Sequence, residues 1–142
     1  MKNNGTARYL IFALRGAQYA LDLQDVAEVV EPPPTFPIPC APGHFVGIMN
    51  FHGNLTSVLD LANFQNMGNL TPEGKVLVLD SRLANLALWV DSVISIVSAE
   101  SLRRESAVDD EMTAELLHNG TDKIRLLALD NLIQKLEATI ND

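Results

Sequence analysis

Val46–Asp60, VGIMNFHGNLTSVLD, decides the fold. Val46, Ile48 and Asn50 fall on one face of an extended segment, and Gly47, Met49 and Phe51 on the other. After His52-Gly53-Asn54 the alternation resumes, with Leu55, Ser57 and Leu59 set against Thr56, Val58 and Asp60. Two period-2 segments rich in β-branched and aromatic residues around a Gly-Asn step predict a β-hairpin. Both faces are apolar over much of the run, which predicts burial on both sides or packing between two sheets.

Upstream, Arg8–Leu14 (RYLIFAL) reads as a central strand, because both of its alternating faces are apolar. Arg15-Gly16-Ala17 turns the chain, and Gln18–Leu23 returns it. Asp22 caps a short helical turn over Leu23–Val26, and Ala27–Glu31 is the next strand. Glu31–Gly43 holds six of the chain's seven prolines. Proline lacks the ladder donor, so this stretch predicts a stiff extended strap between two halves of the fold, with Phe36, Ile38 and Cys40 alternating as packing residues.

Downstream, Leu61–Asn66 predicts one helical turn. Lys75–Asp80, Asn85–Asp91 and Val93–Val97 predict strands. Ser98 begins a short capped turn. Met112, Leu116 and Leu117 give Asp109–His118 a helical spacing that Asn119-Gly120 would end. Lys123–Asp130 predicts a last strand, and Asp130 caps a terminal helix over Asn131–Ala138. Residues 1–7 predict a disordered N-terminus, 8–138 one domain of two interleaved subdomains, and 139–142 a tail. Many short strands with little helix predict a mostly β, small-barrel architecture. No repeat period stands out.

Composition narrows the function classes. A hydrophobic content of 47% supports a core. A net charge of −8 argues against nucleic acid and anionic membranes, both of which are bound through Lys and Arg. One cysteine, Cys40, allows neither an internal disulfide nor a multi-cysteine metal site. The chain shows no signal peptide and no run of transmembrane length, which predicts a cytoplasmic protein.

The phrase GIMNFHGNLTSVLDL resembles the signature hairpin of the CheW family, adaptor domains that couple chemoreceptors to the histidine kinase CheA. The family form is Gly-Val-Ile-Asn-Leu-Arg-Gly, a few apolar residues, then Val-Ile-Asp-Leu. Gly47, Asn50, Gly53, Asp60 and Leu61 match it, and His52 stands where the family has Arg. The resemblance runs from Arg8 to Leu136, through YALDLQDVAEVVEPPP, KVLVLDSRLANLALWVDSVISIVS and IRLLALDNLI. Leu86-Ala87-Leu88 replaces a Gly-containing family form.

This resemblance implies two five-stranded SH3-like β-barrels packed side by side, with a short C-terminal helix and no active site or cofactor. It implies two partners: the regulatory domain of a CheA-type kinase, and the cytoplasmic tip of a methyl-accepting chemoreceptor held in an apolar groove. Matched residue by residue, Val26, Glu28, Gly47, His52 and Gly53 fall on the receptor side. Asn54, Thr56 and Val58 fall on the kinase side. An imidazole facing Glu28 would form a weaker, titratable pair than a guanidinium. Two alternatives stay open: a scaffold for a non-chemotaxis kinase pathway, such as surface sensing or motility regulation, and a diverged accessory copy.

Catalysis is the competing class. Cys40, His44, His52, His118, Asp60 and Asp91 are its raw material. Cys40, between Pro39 and Ala41, reads as a small buried hydrophobe rather than a nucleophile activated by His44 or His52. His44, His52 and Asp60 do not match a metal-site spacing. No phosphate-binding Gly loop and no Gly-x-Ser-x-Gly elbow is present.

Overall fold

The computed structural model describes residues 7–39, 41–68, 71–106 and 110–141. In chain order the strands are β1 (Arg8–Leu14), β2 (Ala17–Asp22), β3 (Val26–Val30), β4 (Phe45–Phe51), β5 (Asn54–Asp60), β6 (Lys75–Leu79), β7 (Leu86–Val90), β8 (Ser92–Ser98), β9 (Arg103–Ser106), β10 (Thr113–Asn119) and β11 (Asp122–Leu127). The helices are α1 (Leu61–Phe64) and α2 (Leu129–Asn141). Residues up to Leu23 and from Val93 onward form one unit, and Gln24–Ser92 form the other. The Pro-rich strap therefore lies within the second unit, between β3 and β4, and does not join two halves.

The first unit carries the order β8-β1-β2-β11-β10-β9, six strands where five were expected. The extra edge strand is β8. Its core gathers Tyr9, Ile11, Ala20, Leu117 and Ile124. Arg104 on β9 donates to the Tyr9 hydroxyl on β1 at 2.6 Å and to Glu115 on β10 at 2.8 Å. β9 and β1 stand far apart in the ladder, so this contact requires the sheet to curl on itself.

The second unit has the order β3-β6-β7-β5-β4. Met49, Val58, Val76, Val78, Ala87 and Trp89 form one buried cluster, with Val30, Val46 and Phe51 packed against it. All five strands thus feed one core. At ~4.8 Å per strand, a flat sheet would hold β3 and β4 nearly 20 Å apart. Instead the side chains of Glu28 on β3 and His52 at the end of β4 meet at 3.3 Å. This sheet is also curled into a small barrel.

The two units repeat one ladder that the sequence does not display as a repeat. β1-β2-β11-β10-β9 and β4-β5-β7-β6-β3 each run antiparallel, parallel, antiparallel, antiparallel. Each begins with a hairpin whose two loop residues have positive φ: Arg15 (52°) and Gly16 (83°), then His52 (51°) and Gly53 (87°). That is the type I′ turn, whose twist matches paired strands. The second hairpin loop is therefore His52-Gly53 alone, with Asn54 already paired to Phe51.

Two segments depart from the sequence expectation. The helix expected over Asp109–His118 is strand β10; of that stretch, Asp109 lies outside the described residues. A bulge between Thr113 and Glu115 shifts the alternation, which gave the apolar residues their helix-like spacing. β9, RRES, is fully exposed and carries no apolar signal, so it read as loop. The strap also differs from expectation. Phe36 bridges Ile48 through its backbone, with N–H···O distances of 2.8 and 2.7 Å, but its ring is 67% exposed. The prolines cover the β4 edge without extending the sheet. Cys40 lies outside the described residues. α2 begins at Leu129 and reaches Asn141, so Asp130 sits in its first turn rather than before it.

Candidate functional site

The curl of the second barrel builds the site. β3 carries a bulge between Val26 and Glu28, and Glu28 pairs with Val78 on β6. A bulge re-aims a side chain at a sheet edge. The tight I′ loop places His52 across from it. The His52 ring packs on Phe51, with centroids 4.3 Å apart, and its Nε2 lies 3.3 Å from Glu28 Oε1. Both side chains are solvated, at 73% and 49% exposure. Asn50 Oδ1 accepts from the Gly53 N–H at 2.8 Å and fixes the loop.

Beside this pair a cavity of about 130 Å³ opens at the barrel end, lined by Ala27, Phe51, Asn54, Thr56, Val78 and Asn85 among others. Mouths of β-barrels are common binding positions. Among its lining, Phe51 and Val78 form an apolar surface, and Asn54, Thr56 and Asn85 supply polar groups.

The expected site residues divide by this geometry. Glu28, His52 and Gly53 lie together at the exposed turn, with Val26 half-buried on the same strand as Glu28. Gly47 is buried. A Cβ there would stand 2.6 Å from the Phe36 carbonyl oxygen, so this glycine lets the strap approach β4. Of the other three, Asn54 is exposed at the turn, while Thr56 and Val58 point into the barrel at 2% and 0% exposure. The residue that projects from β5 is Leu55, 69% exposed. It shares the apolar alternation of its strand, so only the curl of the sheet, unreadable from sequence, reveals that it faces out.

The residues considered for catalysis do not assemble. His44 and His52 sit at opposite ends of β4, about 20 Å apart for a seven-residue strand. His44 Nε2 is buried without a hydrogen-bond partner, and its ring packs against Phe45 and Phe64. Burial pushes the His44 imidazole below its ordinary value, opposed by the nearby Asp60 carboxylate. Asp60 caps α1 by accepting from the Asn63 N–H at 3.1 Å. Asp91 accepts from the Thr71 hydroxyl at 3.0 Å, and His118 Nε2 meets Glu105 at 2.8 Å. No group of three metal-ligating side chains occurs among the described residues. No helix there is long and apolar enough to cross a membrane.

Comparison with known proteins agrees with this geometry. The family model for the CheW-like domain matches residues 8–137. The chain is similar to the chemotaxis protein CheW of Treponema pallidum, 24% identical over 147 residues, covering 95% of this chain and 86% of that protein. Its fold is similar to the crystal structure of the scaffolding protein TtCheW from Thermoanaerobacter tengcongensis. There the TM-score is 0.74 at 22% identity, covering 86% of this chain and 88% of the other. Two SH3-like β units, the I′ hairpin with Asn50, Gly53 and Asp60 in place, and a family match over nearly the whole length lead to one assignment: the chain belongs to the CheW-like domain family.

Proposed function

We propose that this chain is a non-catalytic, cytoplasmic adaptor that couples chemoreceptors to a CheA-type histidine kinase. The observation that carries this reading is the match to the CheW-like domain from residue 8 to 137. The barrel mouth of the second unit supports it, since Glu28, His52 and the cavity beside them form a surface suited to a protein side chain. In this reading the receptor tip meets Val26, Glu28, His52 and Gly53. The kinase regulatory domain meets the turn end of β5, where Asn54 and Leu55 are the exposed residues. Gly47 supports the site by seating the strap rather than by touching a partner.

Such an interface is of ordinary or smaller size, about 1,600 Å² or less in total. Calorimetry with the regulatory domain of the kinase from the same genome is the test, with micromolar affinity as the expected result. Absence of binding to both that domain and the receptor-tip fragment at about 1 mM would overturn the reading.

A further inference from the structure

The second unit is acidic, with seven carboxylates against two permanent cations, Lys75 and Arg82, in residues 24–92. Three of the carboxylates follow one another along β3 and its flanks. Asp25 pairs with Arg82 at 3.1 Å, Glu31 with Lys75 at 3.2 Å, and Glu28, between them, with His52 at 3.3 Å. Both of the unit's permanent cations are therefore committed to the flanking positions. The middle carboxylate faces an imidazole, which near pH 7 carries only part of a charge. It stands on an edge strand, half-exposed, next to Ala27, which lines the mouth cavity.

We propose that the barrel mouth receives one Lys or Arg side chain from the receptor tip. The aliphatic stem lies in the cavity against Phe51 and Val78, and the cationic head reaches Glu28. Three observations fit a long cationic side chain better than a purely apolar one. The cavity volume, about 130 Å³, is comparable to cavities that take one benzene-sized group in protein interiors. The lining joins apolar side chains to Asn54, Thr56 and Asn85, as a side chain that buries its stem and keeps its head in water requires. The net charge around the mouth favours an incoming cation and opposes an incoming carboxylate. His52 then acts as the intramolecular competitor for Glu28, so the imidazole sets how available that carboxylate is.

This inference rests on the adaptor reading and is tested on the full chain by titration with the cognate receptor-tip fragment. Glu28→Gln should weaken binding about three- to fivefold and reduce its salt dependence. His52→Arg should weaken it by a similar factor, because a permanent cation then occupies Glu28. Ala27→Leu, at an exposed position, should weaken it by filling the mouth. Glu31→Gln, whose carboxylate is already paired with Lys75, should change it less than twofold. Thermal melts of each variant check folding. The proposal is overturned if His52→Arg binds as tightly as wild type or tighter, or if Glu28→Gln and Ala27→Leu leave affinity unchanged. It is also overturned if only kinase-domain binding responds to these variants. Wild type that binds neither partner overturns the adaptor reading instead, and this inference with it.

Discussion

Gly47 is conspicuous in the sequence as part of a hairpin signature, and its position suggests a contact with a partner. Its surroundings give it another role. The Phe36 carbonyl occupies the space a Cβ would need, and the Phe36–Ile48 backbone bridge holds that carbonyl in place. Gly47→Ala should therefore lower stability by about 1–3 kcal/mol in urea unfolding, while the folded fraction keeps its partner affinity. His44 is the second case. Its buried Nε2 lacks a partner, and burial favours the neutral ring. The folded imidazole therefore protonates at lower pH than the unfolded one. The stability linked to it is complete above the unfolded value of ~6.5 and is lost as pH falls through the folded value. Denaturation midpoints should drop over that range in wild type, and His44→Phe should flatten the drop. Residue identities such as these are legible in a sequence, but side-chain directions are not. Thr56 and Val58 matched an interface pattern and turned inward, whereas Leu55, with the same apolar character as its neighbours, faces solvent.

At the level of elements, strands with two apolar faces announced themselves. β1, β6 and β7 fell close to their expected bounds because a buried strand must be apolar throughout. The polar edge β9 and the bulged β10 did not, since one has no apolar residue and the other breaks period 2. The turn leading into β10 is stabilised by Asp110. Its carboxylate accepts from the Thr113 hydroxyl at 2.6 Å and the Met112 N–H at 2.9 Å, and lies 3.5 Å from Arg125. The Thr113 hydrogen bond, then the Met112 N–H and Arg125, hold this carboxyl below its ordinary value against the opposing effect of burial. The associated stability is present above the unfolded value of ~3.9 and is lost as pH falls through the folded value. Asp110→Asn should make the acid limb of the stability curve shallower, measured as urea midpoints from pH 5 to about pH 2. His44→Phe should leave that limb unchanged, since its effect lies at higher pH.

For the molecule as a whole, the mostly β class and the presence of two small barrels were readable from strand number and turn spacing. The duplicated ladder was not, because the two copies share pairing directions and loop geometry rather than residues. Nor was the division of the chain, since the proline-rich strap looks like a boundary but lies within one unit. The real division has the second unit as a continuous segment, Gln24–Ser92, set inside a first unit built from both ends of the chain. This nesting governs the order of events on the ribosome. β2 finds its parallel partner β11 only after about 100 further residues are made, which at ~5–20 residues per second is a wait of roughly 5–20 s. The inserted barrel has all its strands as soon as Ser92 has emerged. Nascent chains stalled at that point should show protease protection across residues 24–92 while the β1–β2 hairpin is still cleaved. Equal protection of both, or of neither, would contradict this order. Until synthesis is nearly complete, the apolar β1–β2 hairpin is therefore the segment most in need of a chaperone.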